Sequence, residues 1–163
     1  MVYVGTSILL STGLRAQASV HRERTNLEIA LSAAEDLNPD DKSRPSPILV
    51  RLYELRSAVV FEKTDYFSFN SNDRVMLGED LLVRDEMILR PGEKKYLRRK
   101  SHPDIEALGW VAGYRNLAQA DWRTVVRVEP APEHVWYRAP MPANKVRLSV
   151  NFQRYGIQVL HEV

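Results

Sequence analysis

From Leu27 onward, apolar side chains recur at every second position in short runs that stop at Pro, Gly, Asn and Asp, the period and punctuation of β-strands. Leu27, Ile29 and Leu31 share one face of a first strand. The strand leads into a turn-rich stretch, Glu35 to Pro47, where Pro39, Pro45 and Pro47 forbid regular pairing. Ile48 to Leu55 carries apolar residues at both parities, as expected of a strand buried on two faces or covered by a helix. Between Ser57 and Gly78 the period changes. Val60, Thr64 and Phe67 stand at helical spacing, Thr64-Asp65 offers a helix start, and Gly78 sits where a left-handed cap would fall, so one or two short helices packed on the sheets are expected.

Leu81 to Leu89 returns to strand, and Pro91-Gly92, the pair suited to the centre of a type II turn, is expected to close a hairpin with Glu93 to Arg99. Ala107 to Arg115 puts Trp110, Ala112 and Tyr114 on one face. Thr124, Val126 and Val128 repeat the pattern after the link Ala118 to Trp122, and the turn from Glu129 to Pro132 leads to the aromatic cluster Trp136 and Tyr137. Val146, Leu148, Val150 and Phe152 then alternate with Arg147, Ser149 and Asn151, and a last strand carries Ile157 and Val159. The chain is thus expected to be mainly β, a two-sheet β-sandwich over residues 27–163 with a small helical insertion at about 57–78.

Residues 1–26 read as an N-terminal extension or tether. Met1 to Leu14 is apolar but too short to span a bilayer, and it lacks the basic start of a secretion signal. Ala16-Gln17-Ala18 imitates a small-x-small cleavage site, yet Arg15 intrudes before it, so an ordered strand or tether is the expected form.

With 163 residues, 44% hydrophobic and 27% charged, the composition is that of an ordinary globular domain. A formal charge of +2 is too small to require nucleic acid as partner, and none is expected. The absence of cysteine excludes thiol nucleophiles, zinc ribbons and iron–sulfur ligation within this chain.

Candidate chemistry is sparse. His21, His102, His134 and His161 are scattered, without a ligand spacing of the HExxH kind. Asp36, Asn38 and Asp40 have the alternate spacing that opens a calcium loop, but Asp41 and Pro47 stand where such a loop needs glycine and glutamate. No nucleophile elbow, P-loop or dinucleotide fingerprint is present. Asp40-Asp41, Glu79-Asp80 and Asp85-Glu86 are adjacent pairs, which in a strand point to opposite faces and read as solvated carboxylates. No cofactor, metal or catalytic residue is expected. Lys94 to Lys100 places five cations around Tyr96 and Leu97; it could meet phosphates or anionic lipid headgroups, and otherwise reads as a solvent-facing strand whose lysines oppose edge-to-edge pairing.

The order of several short segments carries a resemblance. They are Ser32-Ala33-Ala34-Glu35-Asp36-Leu37-Asn38-Pro39, Arg44-Pro45-Ser46-Pro47 with Val50-Arg51-Leu52-Tyr53-Glu54-Leu55, Phe61 and Asp65-Tyr66-Phe67, and Leu77-Gly78-Glu79-Asp80-Leu81-Leu82. Leu89-Arg90-Pro91-Gly92-Glu93, Leu108-Gly109-Trp110-Val111-Ala112-Gly113-Tyr114-Arg115 and Trp122-Arg123 follow. From about Leu27 to the carboxy terminus the chain resembles the TssJ family, also called VasD-like, the outer-membrane lipoproteins of the type VI secretion system.

The resemblance implies a transthyretin-like sandwich, a lipid-anchored place on the periplasmic face of the outer membrane, and a partner in the periplasmic C-terminal domain of TssM, the IcmF-like inner-membrane subunit. It also implies that the loop between the first and second strands makes that contact: Asp36, Leu37, Asn38, Pro39, Asp40, Asp41, Lys42, Ser43, Arg44, Pro45, Ser46 and Pro47. The prolines suit such a role because a stiff loop loses less entropy on binding, and its charges give directional contacts. Two departures stand out. The family's lipid-accepting cysteine is absent, so the expected chain is a soluble form that starts after the anchor, or else an unlipidated member. Ser43 also occupies a position where the family pattern favours a small residue, often glycine. The alternative reading is a periplasmic glycan- or peptidoglycan-binding sandwich with Tyr96, Trp136 and Tyr137 as stacking residues.

Overall fold

The computed structural model describes residues 22–129 and 144–161, so Trp136 and Tyr137 and most of the N-terminal extension lie outside the described residues. Among the described residues eight strands are formed: β1 (Asn26–Ala33), β2 (Ile48–Leu55), β3 (Leu81–Leu89), β4 (Lys94–Lys100), β5 (Ala107–Ala112), β6 (Arg123–Arg127), β7 (Lys145–Gln153) and β8 (Gly156–His161). They build two four-stranded sheets, in the orders β4-β1-β7-β8 and β3-β2-β5-β6. All described pairings between strands are antiparallel except β1 with β7, which is parallel.

The period-two faces meet as their sequences demand. Leu27, Ile29 and Leu31 of β1 and Leu148, Val150 and Phe152 of β7 face Val50, Leu52, Trp110 and Ala112 of the other sheet, and together they form the main core. The opposite face of β2 and β5 is also buried, because Tyr53, Leu55, Ala107 and Val111 lie beneath a helical excursion. This is why both parities of β2 are apolar.

The excursion consists of α1 (Val59–Lys63) and α2 (Tyr66–Leu77), followed by a 3-10 turn at Gly78–Asp80. Segments this short are marginal as isolated helices. What holds them is a cluster of rings, Tyr53, Phe61 and Phe69, with centroids 5.0–5.8 Å apart. Burying each such side chain contributes about 1.5–3 kcal/mol, more than helix propensity can supply over these lengths. Arg123 adds a polar clamp, donating to the carbonyls of Phe61 at 2.7 Å and Thr64 at 2.6 Å where α1 ends.

Three expectations change here. The buried apolar positions of the helices are Phe61, Phe69 and Leu77, whereas Phe67 is 73% exposed. The stripe holds at Val60 and the buried Thr64 but not at Phe67, because Thr64 is extended (ψ 133°) and resets the helical phase, after which Asp65 caps α2 by accepting from the Ser68 amide at 3.0 Å. Gly78 does adopt positive φ (51°), but with ψ −124° it is not the left-handed cap.

The third change concerns Pro91-Gly92. The turn forms, with the Glu93 amide donating to the Arg90 carbonyl at 3.0 Å and Gly92 at φ 73°, but β3 and β4 do not pair as a hairpin. The chain crosses between sheets. The Ala33 amide donates to Glu93 O and the Gly92 amide to Ala34 O, so the turn is fastened to the end of β1, and β4 continues along β1 instead of β3. Lys94 to Lys100 is therefore an edge strand, but of the sheet opposite to β3.

Candidate partner interface

The loop of residues 36–47 caps one end of the sandwich and divides into a buried root and an exposed tip. Leu37 is fully buried, Asn38 nearly so, and Pro39 is buried beside them. Asn38 adopts φ 45° and uses both ends of its amide: Nδ2 donates to Pro47 O at 3.0 Å, and Oδ1 accepts from the Arg115 amide at 2.8 Å. The root is thereby stitched to both the far end of the loop and the chain leaving β5.

Asp40 organises the tip. Its Oδ1 accepts from the amides of Lys42 and Arg44, each at 2.9 Å, and its Oδ2 accepts from Arg44 Nε at 2.8 Å and lies 2.7 Å from Nη2. The backbone closes the same circuit, Asp40 N–H to Arg44 O at 2.9 Å and Ser43 N–H to Asp40 O at 2.8 Å. The Arg44 guanidinium and these amides hold the Asp40 carboxyl down at about 2. Ser43 sits at φ 60° inside this turn, a left-handed backbone that favours glycine, which accounts for the glycine preference expected at this position. Asp41, Lys42, Ser43, Arg44, Pro45 and Pro47 are exposed, Ser46 is half-buried, and Asp36 faces Arg154 at 3.5 Å.

Of the twelve expected site residues, the structure thus brings the tip residues to the surface and withdraws Leu37, Asn38 and Pro39 from any partner's reach. The calcium-like spacing is divided among other tasks: Asp36 turns to Arg154, Asn38 to backbone groups, and Asp40 to Arg44.

The surrounding end is firm. Tyr114 is buried, and its hydroxyl lies 2.6 Å from Gly156 O and 3.0 Å from Gln153 O, tying β5 to the β7–β8 turn; burial pushes its phenol well above the ordinary value. The chain enters the fold at the other end. Asn26, where β1 begins, pairs with Lys100 and Lys145, while Ser32 near the loop pairs with Lys94 and Asn151. Eight strand residues, roughly 26 Å, separate entry from loop.

The basic run resolves into two faces. Lys95 donates to Ile88 O at 2.9 Å, and Arg99 reaches Glu54 and Asp85, so these two cations are engaged between the sheet edges. Lys94, Tyr96, Arg98 and Lys100 point outward, with Tyr96 59% exposed. Lys145 and Arg147 join this outward set without any local sequence signal, since only the pairing of β1 with both β4 and β7 brings them together. Among the described residues, no group of three or more histidine and acidic side chains is placed to hold a metal. No helix among them is long and apolar enough to cross a membrane.

Comparison with known proteins gives a consistent result. The sequence model of a family described as "Type VI secretion lipoprotein, VasD, EvfM, TssJ, VC_A0113" matches residues 25–155. The type VI lipoprotein TssJ1 of Pseudomonas aeruginosa superposes with a TM-score of 0.75 at 32% identity, over 86% of this chain and 98% of that one. Lip of Serratia marcescens, a membrane-bound component of the type VI secretion system, superposes with a TM-score of 0.74 at 25% identity, over 86% and 99%. A chain of a type VI membrane complex shares the fold at 18% identity, with a TM-score of 0.69 over 85% and 99%. A search of curated protein sequences finds no match.

Proposed function

The chain belongs to the type VI secretion lipoprotein family that includes TssJ and VasD, and from that premise we propose that it is a structural, non-catalytic subunit of a type VI secretion membrane complex. It sits at the periplasmic face of the outer membrane and binds the periplasmic C-terminal domain of a TssM-like inner-membrane protein. The contact is made by the exposed tip of the loop between β1 and β2, Asp41 to Pro45.

The observation that carries this reading is the polarity of the sandwich. The braced loop lies at the end opposite the entry of the N-terminal chain. A tether at one end and a preorganised loop at the other is the arrangement a bridging subunit needs. A rigid tip also avoids the ordering cost that a mobile loop would incur on binding.

Calorimetry against the purified TssM periplasmic domain tests it. Replacing Asp41 and Lys42 together with alanine is expected to weaken affinity at least tenfold, about 1.4 kcal/mol, with the thermal midpoint unchanged. Unaltered affinity would sink the assignment of the tip.

A further inference from the structure

The outer face of the β4-β1-β7-β8 sheet is densely charged. The register puts Lys100, Asn26 and Lys145 in one row, Arg98, Glu28 and Arg147 in the next, then Tyr96, Ala30 and Ser149, then Lys94, Ser32 and Asn151. Five cations therefore share this face with a single carboxylate.

Glu28 is divided among three of them. It lies 3.0 Å from Arg98, 2.8 Å from Lys145 and 3.3 Å from Arg147, leaving a net positive cluster. Lys94 and Lys100 make no ion pair among the described residues and are exposed. Asn26, Glu28, Arg98, Lys100 and Lys145 line a shallow depression at the end where the N-terminal chain enters. No described element covers this face, whereas α1 and α2 cover the outer face of the other sheet. Among the described residues its uncharged members are the small Ala30, Ser32 and Ser149, the amides Asn26, Asn151 and Gln158, and two larger groups, Tyr96 and, across from Ser149, Leu160, which is 48% exposed.

We infer that this sheet face lies against a membrane surface, its cations meeting anionic lipid headgroups while Tyr96 and Leu160 rest at the headgroup level. The inference rests on the proposed place at the outer membrane. Charge complementarity favours it, and so does position, since four of the five cations lie in the two rows nearest the end where the N-terminal chain enters the fold. A broad face of four strands with small central residues suits a planar surface better than a narrow acidic peptide. Cations near an anionic membrane act additively, and amphipathic rings settle at the interface. A membrane bound on this face runs along the strands, so the loop of residues 36–47 projects sideways from the far end of the sandwich with its tip open to a partner.

Co-sedimentation of the chain with vesicles tests it, using phosphatidylethanolamine containing about one quarter phosphatidylglycerol against pure phosphatidylcholine. Binding is expected only to the anionic vesicles and is expected to fall with added salt. Each exposed lysine is worth about fivefold in partitioning, so Lys94→Gln with Lys100→Gln should lower it about 25-fold. The charge-matched pair Lys63→Gln with Arg74→Gln, on the helical excursion, should leave it near the starting value. No binding to anionic vesicles, or equal loss in the two pairs, would overturn the inference. Vesicle binding without affinity for the TssM domain would overturn the proposed partner instead, and the reverse pattern would overturn only the membrane face.

Discussion

Arg99 of β4 and Glu54 of β2 meet between the two sheets, with Nη2 2.8 Å from Oε1 and the Glu54 side chain only 1% exposed. The contact is an ion pair at close range without an aligned hydrogen bond from Nη2. The other Glu54 oxygen accepts from the His102 amide at 2.7 Å, and the second Arg99 nitrogen rests on Asp85. Removing the cation leaves a buried carboxylate supported by one amide. Arg99→Ala is expected to cost about 3 kcal/mol in denaturant unfolding, and Glu54→Gln on that background should recover part of it. A loss below about 0.5 kcal/mol would mean that the pair does not pin the sheets.

Gly109 of β5 stands opposite Tyr53 and beneath Phe61, and a Cβ at that position would lie 2.5 Å from the Phe61 ring. Phe61 is fully buried between Tyr53 and Phe69, so the ring has little room to retreat. Gly109→Ala should destabilise by about 2–3 kcal/mol through overpacking. Pairing it with Phe61→Leu should give less than the sum of the two single losses, and simple additivity would show that Phe61 is not the obstacle.

The strands were legible because a half-buried strand writes its orientation into every second residue: Leu27, Ile29 and Leu31 announce their face without help from any neighbour. Pairing across distance leaves no such mark. Lys94 to Lys100 reads the same whether it turns back on β3 or crosses to β1, because Pro91-Gly92 specifies a reversal and not the sheet that receives it. The helical stripe misled for a related reason, since periodicity assumes one continuous helix and Thr64 interrupts it. In the loop, the prolines marked the boundaries. Asp40 and Asp41 are equivalent as letters, and only the folded turn separates the one that braces Arg44 from the one left facing solvent.

Acid should loosen the helical excursion before the sandwich. Asp73 of α2 accepts from the Tyr53 hydroxyl at 2.7 Å and from Arg84 Nε at 2.6 Å. Burial pushes its carboxyl upward, but these two donors outweigh burial and leave it below the usual range; Glu86 is lowered chiefly by Arg51. A depressed folded-state value means that the stabilisation is complete above the ordinary carboxylate value near 4 and fades as pH falls through the folded value. Fluorescence of Trp122, whose ring packs on Tyr66 and Phe69, should report the loosening below about pH 4. Tyr53→Phe removes a donor to a buried carboxylate, so it should cost about 2 kcal/mol and move the transition to higher pH. An acid transition at the same pH in that variant would show that the Tyr53 contact does not set it.

The roles of Asp40 and Asp41 can be separated by a protease. Lys42–Ser43 is a bond trypsin can cut, whereas Arg44 is followed by Pro45 and resists it. Both lie in the exposed tip, so cleavage after Lys42 depends on how often the turn opens and not on global unfolding. Asp40→Ala removes the acceptor for two amides and for Arg44, and should speed cleavage about tenfold, with the thermal midpoint close to that of the parent because the root residues Leu37 and Asn38 keep their contacts. Asp41→Ala should leave the cleavage rate unchanged. Ser43→Gly relaxes a left-handed residue worth about 1 kcal/mol, but returns part of that as chain entropy in the open turn, so its rate should stay within about twofold of the parent. If Asp40→Ala is cut no faster than the parent, the Asp40–Arg44 circuit is not what holds the tip, and weakened partner binding in that variant would then have to come from direct contact.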